Sequence, residues 1–286
     1  MRSKETMKTL QSNIPFSYRT IKVTQSRIDK GLLAIPVSLI DALPNLKTKV
    51  YVVTAVGEKP APKNFTPYSS SSRECRIGGM RDFYDKFRIK EGDEIVVQVL
   101  DEETLRIIPE KHFEDMIRRL EDGLDSSRDE DEADSKLQEV SGLTGSDLKE
   151  VVLNEYFRLS TAQVNERKQG VERASTRKET IPAGIKRLLT KIYEGKCQLT
   201  GFTFVMKNGN RYFEVHHIRP DIGNHVKNLL VVSPNVHAQF TYATVKESFD
   251  REGWLRHVEF NEEDFVVHHI IDSVPTKFEK EIHFES

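Results

Sequence analysis

The sequence predicts a multidomain α+β protein: an N-terminal all-β module, a helical middle, and a C-terminal unit whose strands and helix carry a histidine cluster. Three observations lead to this. Short β-branched runs separated by Gly, Pro, Asp and Asn fill residues 19–109. From Lys111 the apolar period becomes helical. Between Glu214 and Phe240, polar anchors (His216-His217, Asn228, His237) interrupt apolar, β-prone sequence at intervals that do not suit a hydrophobic core. A chain of 286 residues is long for one compact domain. The expected division is 1–110, 111–145 and 146–286, with the core of the last part at 192–250.

Within the first part, Arg19–Val23, Gly31–Pro36, Lys49–Val56, Glu94–Leu100 and Thr104–Pro109 read as strands. Ala34–Leu43 reads as a short helix opened after Pro36. Lys59–Ser72, polar and rich in Pro and Ser, reads as a loop too long for a hairpin turn. His112–Leu124 has helical spacing, and the acidic run 121–139 reads as a solvated linker. Helical spacing resumes at Ser146–Leu159, with Ser146 as N-cap, and at Ile181–Gly195. The last 40 residues alternate again, as a terminal hairpin or small sheet would.

The net charge of −2 hides an uneven distribution. Residues 1–90 carry 17 Lys/Arg against 7 Asp/Glu, whereas residues 121–139 carry nine acids and two bases. A second basic stretch runs through Arg167, Lys168, Arg173, Arg177, Lys178, Lys186, Arg187, Lys191 and Lys196. Basic blocks attract phosphate backbones through counterion release. Cys75 and Cys197 are the only cysteines, so a disulfide framework is excluded and a reducing cytoplasm is the expected setting. The N-terminal sequence lacks a signal-like apolar region, and no stretch approaches the roughly 20 apolar residues of a spanning helix. Neither secretion nor a membrane partner is expected.

Imidazoles and an amide spaced as in Glu214–Phe240 suit one divalent metal with a general base beside it, which points to phosphodiester hydrolysis. Adjacent strand residues face opposite ways, so one ring of His216-His217 is directed to the metal and the other to the attacking water. An imidazole base suits neutral pH because its unperturbed pKa is near about 6.5. The pair His268-His269 lacks a following Asn and a helix-borne His, and reads as structural.

Residues 197–245 resemble the HNH nuclease family, the ββα-metal fold. The framework is C-x-x-T-G at Cys197–Gly201, E-x-H-H-I at Glu214–Ile218, N-L-L at Asn228–Leu230 and P-N-x-H-A-x-F at Pro234–Phe240. The resemblance implies His216 and His237 as metal ligands, His217 as general base, and Asn228 as the residue holding this loop and its imidazole. It implies a divalent metal such as Mg²⁺, with Mn²⁺, Ni²⁺ or Zn²⁺ also suited to imidazole. Glu214 reads as a supporting charge and His225 as a loop residue. Where many members hold a structural zinc with four cysteines, this chain has Cys197, Thr200, Ser233 and Val236, so no structural zinc is expected. Packing by Phe202, Phe204, Val231 and Val232 is expected to stabilise the finger instead. Thr241, one turn after His237, is a poor ligand where members place another His or Asp.

Residues 19–109 resemble the plant-type B-three DNA-binding pseudobarrel, above all in Arg76–Glu110, with Phe83 and Phe87 ahead of a Gly92-Asp93 turn. That family grips the major groove with two arms. The first arm would offer Gln25, Ser26, Arg27 and Lys30; the second, Asn64, Tyr68, Arg73 and Arg76. Together the two resemblances imply a site-specific endonuclease acting on double-stranded DNA, most like a Type II restriction enzyme. One such centre cuts one strand, so a double-strand break implies a homodimer or sequential nicks, with 146–195 as dimer surface or DNA clamp. The rival readings are a nuclease that requires a modified base and a non-catalytic DNA-binding regulator.

Overall fold

The computed structural model describes residues 6–35, 39, 42–55, 58–68, 74–163, 180–219, 222–274 and 277–284, and the fold is mixed α+β. The chain forms two compact units. One comprises 1–119, 140–146 and 276–286; the other comprises 120–139 and 147–275.

The first unit is built on a nine-stranded sheet. Its strands are β1 (Thr6–Gln11), β2 (Tyr18–Lys22), β3 (Leu32–Ile35), β4 (Thr48–Val53), β5 (Ala61–Thr66), β6 (Cys75–Gly78), β7 (Glu94–Val99), β8 (Thr104–Pro109) and the C-terminal β16 (Glu279–Phe284). They run in the order β1-β16-β2-β7-β8-β4-β5-β6-β3. Val50, Phe65, Ile77, Ile95, Leu105 and Ile107 make a core closed to solvent. A short helix, α2 (Arg81–Phe87), adds Phe83 and Tyr84, and the Tyr84 hydroxyl donates to the Leu32 carbonyl at 2.7 Å. The other short helix, α1 (Gln25–Lys30), ends at Gly31, whose φ of 62° is left-handed. A Cβ there would lie 2.7 Å from Cγ of Arg81.

Two sequence expectations change here. Lys59–Ser72 is not all loop, because β5 occupies Ala61–Thr66. Its anchor is the fully buried Phe65, and Pro62 is tolerated because only β4 flanks that part of the strand, Asn64–Thr66 alone being paired with β6. The helix expected over Ala34–Leu43 falls largely outside the described residues. The C-terminus does not stay with the second unit. Strand β16 lies between β1 (antiparallel) and β2 (parallel). It is held by the buried Lys280, whose ammonium meets Glu110 at 2.6 Å and Glu94 at 2.9 Å. A six-residue alternating segment does not announce its partner strand, so sequence alone could not find this.

The acidic run is helical rather than a solvated linker: α3 spans Glu110–Asp125 and α4 spans Glu130–Thr144. Its few apolar residues are spaced for a helix, and Leu124, Ala133 and Leu137 are buried. Its acids meet cations. Glu130 pairs with Lys186 at 2.7 Å, and Asp134 pairs with Arg187 and, at 2.9 Å, with Lys191. Burial works against the Asp134 carboxylate, but those two cations outweigh it and hold its pKa below the usual range. These three basic residues belong to α6 (Ala183–Tyr193), so this part of the second basic stretch is neutralised within the chain. Arg167, Lys168, Arg173, Arg177 and Lys178 lie outside the described residues. The N-cap of α5 (Leu148–Thr161) is Asp147, which accepts from the Glu150 amide, rather than Ser146.

The second unit continues with a hairpin of β9 (Phe204–Val205) and β10 (Arg211–Tyr212), then an antiparallel pair, β11 (Glu214–His217) and β12 (Leu229–Val232). Helix α7 (Pro234–Tyr242) follows, and then an antiparallel sheet of β13 (Val245–Phe249), β14 (Leu255–Phe260) and β15 (Glu263–Val266). Strand β12 is buried along its length because both its faces are packed. Leu230 and Val232 join Cys197, Val236, Leu255 and Val258; Leu229 and Val231 join Tyr156, Leu189, Val226 and Trp254. At about 1.5–3 kcal/mol per buried side chain, these four residues anchor the strand firmly. Among the described residues, no helix is long and apolar enough to cross a membrane.

Candidate active site

Strand register sorts the polar residues. His216 lies opposite Leu230 and His217 opposite Leu229, so the two imidazoles leave opposite faces of the pair. Glu214, two residues before His216, shares its face. Helix α7 supplies the third group. It starts sharply, with the Ser233 hydroxyl accepting from the Val236 amide and Pro234 in its first turn, and this sets His237 one turn in.

On the Glu214 face, the rings of His216 and His237 approach edge to face with centroids 5.4 Å apart. His216 also stacks on Phe240 at 3.9 Å. Burial, helped by the neighbouring His237 and His217, pushes the His216 pKa down to about 4, so its ring is neutral at physiological pH and keeps a lone pair. The Glu214 carboxylate bonds Nδ1 of His237 and accepts from the Tyr212 hydroxyl at 2.9 Å. That leaves Nε2 as the remaining donor atom of His237, the arrangement in which a carboxylate orients a ligating imidazole. Two imidazoles fit a divalent cation with open positions. Among the described residues, no group of three or more His, Cys, Asp or Glu side chains is arranged to hold a metal. The Thr241 hydroxyl donates to the His237 carbonyl at 3.3 Å.

On the opposite face, Nε2 of His217 lies 2.9 Å from Oδ1 of Asn224. The loop between β11 and β12 is closed by Asn228, which is 3% exposed. Its Oδ1 accepts from the Arg219 amide at 2.7 Å, and its Nδ2 donates to the carbonyls of Arg219 at 2.7 Å and Gly223 at 2.8 Å. Asn228 therefore braces the loop backbone, while the imidazole is held by Asn224, which the sequence did not single out. His225, read as a loop residue, accepts from the Lys227 amide and bonds the Ala162 carbonyl, each at 3.2 Å. Beside Asn228 a cavity of about 210 Å³ is lined by Ile218, Arg219, Ile222 and Phe249, with the Arg219 guanidinium 4.9 Å above the Phe249 ring.

The finger positions also resolve. Burial opposes the Cys197 thiolate, yet bonds from the Thr200 hydroxyl and the backbone of Ser233, Thr200 and Leu199 hold its pKa below the ordinary value. Val236 packs in the same apolar cluster as Cys197. Val231 and Val232 are buried as expected, but Phe202 and Phe204 are 53% and 42% exposed and do not form a core. Gln198, also missed, ties the strands together: its Oε1 accepts from the Val231 amide at 2.8 Å, and its Nε2 donates to the His268 carbonyl at 3.0 Å. His269 is a buried structural imidazole that bonds the Leu255 carbonyl at 2.7 Å.

In the first unit, Gln25, Ser26, Arg27 and Lys30 lie on α1, a helix with no buried residue. Gln25 donates to Asp29 at 2.7 Å. Arg27 pairs with Glu74 at 2.6 Å, and Glu74 also takes Arg76, so two of the expected readers converge on one carboxylate. Asn64 lies on β5, Tyr68 is 37% exposed, and Arg73 is outside the described residues.

No family model matches the chain, and no curated protein matches it. One solved structure, described as "Arabidopsis FUS3-DNA complex", is similar to 32% of this chain over 92% of its own length, at 18% identity and a TM-score of 0.27. A likeness of that size carries no argument about function.

Proposed function

We propose that this protein is a metal-dependent, site-specific endonuclease of double-stranded DNA, with its catalytic centre in the second unit and DNA recognition in the first. The observation that carries the reading is the sorting of His216 and His237 to one face of the β11–β12 pair and His217 to the other, on a loop braced by Asn228. His216 and His237 would hold the cation, which supplies positive charge to the scissile phosphate and leaving oxygen. Two imidazole donors favour Mn²⁺ or Ni²⁺ over Mg²⁺, which prefers oxygen ligands. His217 takes a proton from the attacking water; the water oxygen bonds phosphorus, the P–O bond to the leaving oxygen breaks, and that oxygen takes a proton from solvent. Arg219, two residues on, offers a cation to the DNA backbone. The surplus of positive charge in residues 1–90 supports DNA as the polymer.

The test is cleavage of plasmid and phage DNA, methylated and unmethylated, with Mg²⁺, Mn²⁺ or Ni²⁺, followed by sequencing of the ends. Defined ends on unmodified DNA are expected, with loss of cleavage and unchanged DNA affinity in His217→Ala. Wild-type rates in that variant would remove His217 as the base, and no cleavage by the wild type with any metal would end the nuclease reading.

A further inference from the structure

We propose that Asn224 is a positioning residue that sets the tautomer of His217, so that Nδ1 is the atom that takes the proton. The inference rests on the nuclease reading for its role and on geometry for its substance. A backbone carbonyl can only accept, and the Thr180 carbonyl lies 3.2 Å from Nδ2 of Asn224. That contact fixes which way the amide points. Oδ1 therefore faces His217, at 2.9 Å from Nε2. An amide oxygen cannot donate, so Nε2 must carry the hydrogen and Nδ1 keeps the lone pair. The amide thus favours the reactive tautomer.

The loop around Asn224 has other fastenings. Asn228 binds the backbone at Arg219 and Gly223, and His225 binds Ala162 and the Lys227 amide. Removing the Asn224 amide should therefore leave the loop folded, at the loss of the Thr180 contact, and act chiefly on the ring. Asn224 stands four residues before Asn228 in a polar stretch, where nothing in the sequence distinguishes it from an ordinary turn residue.

Asn224→Leu removes the acceptor at similar size, and Asn224→Asp restores an oxygen acceptor toward Nε2. In single-turnover cleavage with Mn²⁺, Asn224→Leu should slow the chemical step about 10- to 100-fold, the usual cost of losing an orienting partner. Its DNA affinity, measured in EDTA, should stay within about twofold, and Asn224→Asp should recover most of the rate. Long-range ¹H–¹⁵N spectra of the metal-free protein, with the His217 signal identified by its loss in His217→Ala, should show a proton on Nε2 in the wild type and a tautomer mixture in Asn224→Leu. A wild-type rate in Asn224→Leu, or a wild-type ring protonated at Nδ1, overturns the proposal. If the wild type cuts no DNA, the nuclease reading falls and the catalytic role with it, while the spectra still decide the tautomer.

Discussion

Glu155 should make the second unit's stability fall as pH rises from acid to neutral. Its side chain on α5 is fully buried, with one carboxylate oxygen 2.9 Å from Nε of Arg158 and the other, Oε1, without a hydrogen-bond partner. Burial pushes its pKa up to about 7; Arg158 pulls it down, and the charges of Glu121 and Asp125 add to the rise. Because the folded protein holds this proton more tightly than the unfolded chain, the stabilisation is complete below the ordinary value of 4.5. It is lost as pH climbs through about 7. The gap between those values corresponds to about 3 kcal/mol. Glu155→Gln keeps the shape of the neutral acid and removes the titration. Urea unfolding followed by Trp254 fluorescence suits the question, because Trp254 is the only tryptophan and packs in the cluster of Tyr156, the neighbour of Glu155. Near pH 4.5 the variant should match the wild type within about 1 kcal/mol, and near pH 8 it should be more stable by up to about 3 kcal/mol. Parallel stability curves across that range would refute the reasoning.

Gly184→Ala should destabilise the second unit although alanine is the better helix former by about 1 kcal/mol. Its Cβ would stand 2.3 Å from the Leu124 carbonyl oxygen, so overpacking should outweigh propensity and leave a net loss of about 1–3 kcal/mol in urea unfolding. Deleting residues 275–286 should unfold much of the first unit, because it withdraws β16 from between β1 and β2 and leaves Glu94 and Glu110 without Lys280. Losing one partner of a buried ion pair alone costs about 3–5 kcal/mol. Limited proteolysis read by mass spectrometry should show residues 6–119 becoming labile; a protected fragment would contradict this.

Legibility followed the range of the interaction. Strands β2, β3, β4, β7 and β8 were readable because local alternation and turn residues reveal a half-buried strand. Strand β5 was not, since Pro62 and the polar flanks of Phe65 mimic a loop until two neighbouring strands pair with it. The acidic run was misread for a similar reason. Nine acids look solvated, and only folding brings Lys186, Arg187 and Lys191 of α6 against them. At the candidate site, His216, His217, Asn228 and His237 were visible because their residue types conflict with a core and their spacing fits strand, loop and helix. Asn224, Gln198 and the pairing of Arg27 with Glu74 were invisible, each involving an ordinary polar residue until its partner arrives from 7 to 70 residues away.

The sequence by itself determined that the two histidines of β11 face opposite ways, because a strand has a period of two, and, through the resemblance it carries, implied that a following helix holds a third. It also determined that the N-terminal part is strand-rich and basic. Only the tertiary structure decided that β16 closes the N-terminal sheet, that α6's described cations are spent on the chain's own acids, and that His217 answers to Asn224 rather than Asn228. Those outcomes depend on hydrogen bonds and charge pairs between distant segments, and such pairings leave no periodic trace in a linear sequence.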